Sequence, residues 1–210
     1  MRYKIGYVDE NPLQVKKFQR LLRDNFDVLG YNITRGLSKK RLLSQIYNSE
    51  IDLLLVDYLM TDKGQLTYNG DEIARDFEKM KPRFPILIFT QYHNDAFPQV
   101  DNPNIIYEKS LASNIDHFSE ILRKNIEVYR KFISDRKKSI TTLVNKSKKK
   151  KLTAKETHNL LDKQIELQML DKNSVEVPFQ LLHPEKIEAL SKSADKAEAF
   201  IKSLSKKRKK

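Results

Sequence analysis

Five side chains in this sequence are of the types that handle hard cations and phosphoryl groups, and each sits beside a short apolar run. Asp9 and Glu10 follow Tyr3 to Val8 directly; Asp57 closes the run that opens at Ile51; Thr90 ends Ile86 to Phe89; Lys109 comes just after Asn104 to Tyr107. Three carboxylates gathered in one place repel unless a cation joins them. Mg2+ suits such a set, because it is held by a few carboxylates, keeps some of its water and takes the rest of its shell from phosphate. With that charge neutralised, Asp57 is a nucleophile that can accept a phosphoryl group as an acyl phosphate. Lys109 would pair with the transferred oxygens and the Thr90 hydroxyl would donate to one of them, since positioning and charge neutralisation are most of what phosphoryl transfer needs. A lone Asp at a strand end more often caps the next helix. Its company here points to chemistry instead.

The elements that must position these groups are legible from periodicity. Residues 51–60, Ile-Asp-Leu-Leu-Leu-Val-Asp-Tyr-Leu-Met, form an apolar run of strand length without polar alternation, the pattern of a strand buried on both faces of a mainly parallel sheet. Tyr3 to Val8 reads as a strand, and Asn11 and Pro12 as cap and first position of a helix in which Val15, Phe18, Leu22 and Phe26 step by three and four. A second strand is expected over 28–33. A helix capped by Ser38 runs through Tyr47 with Leu42, Leu43 and Ile46 inward, and a polar loop over 61–69 has Gly64 and Gly70 as breakers. A third helix over 71–80 buries Ile73 and Phe77, and strands follow over 86–89 and 104–107. Pro98 and Pro103 leave room for little more than one helical turn between those strands. Alternating strands and helices give an α/β fold with a doubly wound, five-stranded parallel sheet. Right-handed crossovers then place Asp9, Asp57, Thr90 and Lys109 along one sheet edge, where ligands bind in such folds.

The ordered set Val8-Asp9-Glu10, Leu55-Val56-Asp57-Tyr58-Leu59-Met60, Phe89-Thr90 and Glu108-Lys109 resembles the receiver domain of two-component response regulators, the CheY-like fold, over about residues 2–125. The resemblance implies strand order 2-1-3-4-5 and makes Asp57 the phosphoacceptor. It also implies that Asp9, Glu10, Asp57 and the backbone carbonyl of Leu59 hold Mg2+, and that Thr90 and Lys109 are the switch and phosphate-binding residues. The phosphoryl donor would be a histidine kinase or a histidine phosphotransfer protein, and no enzymatic activity is implied beyond self-catalysed phosphotransfer and dephosphorylation. The chain departs from the family in several places. Glu10 stands where Asp is common, Thr61 and Ser110 replace prolines, so the cis peptide usual after the lysine is not expected to be required. Gln91 replaces a small residue, and the loop before Gly70 is long. Ile106 occupies the usual place of the switch aromatic, with Tyr107 one residue late and so on the opposite face.

The rest of the chain differs in charge. Residues 1–110 hold 16 Lys and Arg against 15 Asp and Glu, while the remaining 100 hold 24 against 13. A balanced domain over 1–125 is expected, its last helix continuing to about 145, followed by a basic helical region over 146–210. In the long helix Ile115, Phe118, Leu122, Ile126, Tyr129, Ile133, Ile140 and Leu143 form an apolar stripe, which asks for a partner in its own later helices or in a homodimer. Lys146 to Lys151 reads as a break, and Thr153 with Glu156 as a capping box for a helix through about Leu170 with Leu161, Ile165 and Gln168 in line. A linker over 173–178, a helix from Pro184 and a solvated end over 206–210 complete the chain. The leading expectation is a phosphorelay response regulator that signals through helical protein contacts. A transcription regulator gripping DNA with its basic helices, and a phosphate sink or adaptor docking a kinase, are the alternatives. No helix-turn-helix pattern favours DNA, and His93, His117, His158 and His183 have no metal spacing. Without cysteine or a long apolar run, a cytoplasmic chain with no membrane span is expected.

Overall fold

A computed structural model describes residues 2–170. Strands β1 (Tyr3–Val8), β2 (Phe26–Gly30), β3 (Leu53–Val56), β4 (Ile86–Thr90) and β5 (Ile106–Glu108) form one sheet in the order β2-β1-β3-β4-β5, with every neighbouring pair parallel. Between them run α1 (Pro12–Leu22), α2 (Lys39–Asn48), α3 (Gly70–Met80) and the single turn α4 (His93–Ala96); α5 (Ile115–Ser147) and α6 (Ala154–Leu170) follow. The doubly wound five-stranded sheet expected from the sequence is the one formed.

Local signals start the helices. The Asn11 side chain accepts from the Leu13 N–H with Pro12 at the first position, Ser38 accepts from the Arg41 N–H, and Asn69 and Glu72 form a reciprocal capping box at α3. Burial fixes the strands. Leu53, Leu54, Leu55 and Val56 are all fully buried, which is why this strand shows no alternation. One face of the sheet contributes Ile5, Tyr7, Leu53, Leu55, Leu87 and Phe89 to a core that α1 completes with Val15, Phe18 and Leu22, and α5 with Phe118, Leu122 and Ile126. Within it, Tyr7, Phe18, Phe89 and Phe118 form a chain of rings with centroids 4.9 to 5.0 Å apart. Such contacts add about 0.5 to 1.5 kcal/mol each beyond area burial.

Several boundaries differ from the sequence reading. Phe26 does not continue α1. That helix stops at Leu22, the Asn25 N–H turns back to the Leu22 carbonyl, and Phe26 opens β2, so the second strand lies over 26–30 and not 28–33. The last strand begins at Ile106 and not at Asn104, because Pro103 starts a 3-10 turn through Ile105. Ile106 is buried, and Tyr107 packs against the α1–α5 side of the core. No cis peptide occurs among the described residues.

The described residues divide into two compact units, one ending at Arg136 and the other beginning at Lys137. In the second, Thr153 and Glu156 form the expected capping box and Lys146 pairs with Glu156. The apolar face of α6 is not the expected one: Thr157, Leu160 and Leu167 are buried, whereas Ile165 is 53% exposed and Gln168 is exposed. The linker over 173–178, the helix from Pro184 and the basic end over 206–210 lie outside the described residues. No helix among the described residues is long and apolar enough to cross a membrane.

Candidate functional site

Parallel pairing sets Val8 opposite Val56, and the Asp57 N–H donates to the Val8 carbonyl at 2.8 Å. The two central strands therefore finish level, with Asp9 and Asp57 each one residue beyond. Lys109 arrives from the end of β5 and closes the group: its Nζ lies 3.1 Å from Asp9 Oδ2 and 3.0 Å from Asp57 Oδ1. Both carboxylates are largely withdrawn from water, Asp9 being 2% and Asp57 9% exposed. One ammonium thus serves two carboxylates, and the trio keeps an excess of negative charge.

Asp9 is held from three sides. Besides Lys109, the Tyr7 hydroxyl donates to Oδ2 at 2.6 Å and the Asn11 N–H donates to Oδ1 at 2.8 Å. Asp57 has less support. Its carboxyl is raised to about 6 as the balance of burial, which pushes it up, the Lys109 charge, which pulls it down, and the Asp9 charge, which pushes it up again. Burial, followed by the Asp9 charge, likewise holds the Tyr7 hydroxyl protonated well above the usual phenol range.

The other expected site residues are placed as follows. Thr90 is fully buried at the end of β4; the register sets it beside Glu108, next to Lys109, and its Oγ1 accepts from the Tyr92 N–H at 2.9 Å. Glu10 is buried but turns away from the trio: its Oε2 accepts from the Lys63 N–H at 3.3 Å, and burial raises its carboxyl above the ordinary range. Leu59 lies in a segment pinned on both sides, where the Met60 N–H donates to Asn69 Oδ1 at 3.1 Å and the Gly70 N–H to the Tyr58 carbonyl at 2.9 Å. Gly70 is required there, since a Cβ would fall 2.0 Å from the Asp57 carbonyl oxygen. Among the described residues no three His, Cys, Asp or Glu side chains are grouped so as to hold a metal ion. Asp9 and Asp57 nonetheless have the donor chemistry for a hard divalent cation, since one carboxylate oxygen of each already converges on the same positive charge. Glu10 would join them only by giving up the Lys63 amide.

Tyr7, Asn11, Asn69 and Gly70 were not singled out by the sequence as site residues. A signal for Tyr7 existed: two residues before Asp9 on a strand is the same face. The contact of Gly70 with Asp57 had no local signal, because it depends on where α3 meets the end of β3. His158 pairs with Asp162 one turn along α6, apart from any cluster.

No protein-family model matches the sequence, and no curated protein matches it. Among solved structures the chain is similar to NtrX from Brucella abortus in complex with ADP, with a TM-score of 0.51 and 14% identity over 79% of this chain and 34% of that one. It is also similar to a response regulator receiver protein from Sinorhizobium medicae WSM419, with a TM-score of 0.47 and 18% identity over 60% of this chain and 95% of that one. A third is TrrA from Thermotoga maritima in complex with Mg2+-BeF, with a TM-score of 0.45 and 20% identity over 59% of this chain and 98% of that one. At these identities the likeness is one of fold. The described sheet has the receiver-type, CheY-like order.

Proposed function

We propose that the protein is a response regulator whose receiver accepts a phosphoryl group on Asp57. The observation that carries the reading is the single Lys109 ammonium held between two buried carboxylates at the carboxyl edge of the sheet. A buried pair of aspartates with one counter-charge is costly unless further positive charge is supplied in use, and a divalent cation bound along with the phosphoryl group would supply it. Asp9 and Asp57 would hold Mg2+ with the Leu59 carbonyl, and Glu10 after releasing Lys63. The ion, when bound, neutralises phosphoryl charge that the carboxylates would otherwise repel.

The chain's own groups account for the rest. An Asp57 carboxylate oxygen attacks phosphorus, the phosphorus–nitrogen bond of a phosphohistidine donor breaks, and its electron pair stays on the imidazole, leaving an acyl phosphate on Asp57. Lys109, already 3.0 Å from Asp57, pairs with the phosphoryl oxygens. Thr90 accepts from Tyr92 through Oγ1, so its own proton is available to donate to one of those oxygens. Because the Tyr92 amide and the Thr90 hydroxyl are linked, a move of Thr90 toward a phosphoryl group shifts the start of α4 as well. The donor would be a histidine kinase or a histidine phosphotransfer protein, and the helical region would carry protein contacts or homodimerisation.

Incubation with acetyl phosphate or a phosphohistidine donor, with Mg2+, tests the reading. The parent chain should take up label and Asp57→Asn should take up none; equal labelling of the two refutes it.

A further inference from the structure

Tyr7 is fully buried, and its hydroxyl reaches the same Asp9 oxygen that Lys109 touches. Its ring is fixed by Phe18, 5.0 Å away between centroids, so the hydroxyl has little freedom. The Asn11 N–H occupies the other Asp9 oxygen. Three donors thus set the position of this carboxylate, and two of them, Tyr7 and Asn11, come from the same short segment.

We propose that Tyr7 is a positioning residue of the acceptor pocket: its hydroxyl fixes Asp9 and remains the donor to Oδ2 when Lys109 turns to a phosphoryl group on Asp57. The inference rests on the role assigned to Asp57 above. Lys109 cannot keep full contact with Asp9 Oδ2 while it pairs with phosphoryl oxygens, and with the Asn11 N–H committed to Oδ1 a carboxylate oxygen this deeply buried is costly without a donor of its own. Tyr7 supplies that donor throughout. It also keeps Oδ2 directed at the point where Lys109 and Asp57 meet, which is where a divalent cation would draw on both carboxylates. Loss of the hydroxyl should therefore weaken cation binding more than it slows transfer at saturating cation.

The test uses the full chain in four forms: the parent, Tyr7→Phe, Tyr7→Leu and Phe18→Leu. Mg2+ is titrated calorimetrically, labelling by acetyl phosphate is followed at saturating Mg2+, and thermal unfolding is recorded in EDTA. Removing one hydrogen bond to a charged group should raise the Mg2+ dissociation constant of Tyr7→Phe roughly tenfold while labelling at saturating Mg2+ stays within about threefold. Phe18→Leu disturbs the ring packing but keeps the hydroxyl, so it should lower the melting temperature and leave the Mg2+ constant within about twofold of the parent. Tyr7→Leu also lacks the hydroxyl and replaces Tyr7→Phe as the measured variant if the latter does not fold. Unchanged Mg2+ affinity in the hydroxyl-free variant, or an equal loss in Phe18→Leu, overturns the assignment while labelling of the parent leaves the Asp57 reading intact. A parent that neither binds Mg2+ nor takes up label overturns both.

Discussion

β3 is bracketed by two aspartates, Asp52 before its first residue and Asp57 after its last, and their surroundings differ in one decisive respect. Asp52 accepts from the Lys4 N–H at 2.8 Å and pairs with Arg130 at 2.7 Å, with its side chain 21% exposed. The Arg130 guanidinium also lies 4.6 Å over the Tyr3 ring. Asp52 therefore has a backbone donor and a cation to itself, and it ties β3, β1 and α5 together. Asp57 is 12% exposed in its side chain and shares one ammonium with Asp9. The first arrangement is closed, whereas the second is short of positive charge and opens toward ligands at the strand ends. Identical side chains four apolar residues apart thus serve attachment at one end of the strand and candidate chemistry at the other.

Substituting each aspartate in turn separates the two roles. Asp57→Asn is expected to abolish labelling by acetyl phosphate and Mg2+, the largest effect available, whereas Asp52→Asn should label like the parent; loss of label in Asp52→Asn would remove the distinction. Next in size is Lys109→Ala, which leaves Asp9 and Asp57 buried side by side without their counter-charge. Breaking a buried pair in this way should cost about 3 kcal/mol of stability at neutral pH in EDTA, read by denaturant unfolding.

Acid titration sharpens the contrast further. The Asp57 carboxyl is raised from 3.8 to about 6 in the folded chain, so between those values the folded state binds more protons than the unfolded one. Stability from this group is therefore gained as pH falls from above 6 toward 4, and lost as pH rises through 6. Asp57→Asn carries no charge to bury, so in EDTA it should be more stable than the parent at pH 7.5 by on the order of 2 to 3 kcal/mol. The advantage should vanish near pH 4; a gap that does not change with pH would mean that burial does not raise the Asp57 carboxyl. The smallest expected effect belongs to Asp52→Asn, which should cost at most about 1 kcal/mol and less in high salt, as for other exposed pairs. A larger loss would show that the Arg130 contact anchors α5 more strongly than its exposure allows.

How much was legible in advance varied with the range of the interaction. The apolar run before Asp57, the caps at Asn11, Ser38 and Thr153, and the stripe from Phe118 through Tyr129 are local patterns, and they form as read. The edge shared by Asp9, Asp57, Thr90 and Lys109 followed from them, because parallel strands joined by short crossovers end on one side. The errors arose where two local readings competed. Phe26 fits the α1 period, yet after the turn at Asn25 it is the first residue of β2. In α6, Leu161 with Ile165 and Leu160 with Leu167 are both acceptable helical stripes, and burial selects the second.

By itself the sequence determined the kinds of element, their order, and which carboxylates and cation would stand at the strand ends. Those properties depend on side-chain periodicity and backbone caps over a few residues. Only the tertiary structure decided which groups touch: Lys109 bridges Asp57 and Asp9, the latter 100 residues away in the chain, Glu10 turns to the Lys63 amide, and Tyr7 reaches Asp9. Contacts of this kind are fixed by strand register, by side-chain length and by the need of each buried polar atom for a partner, and none of these is expressed in the spacing of one segment.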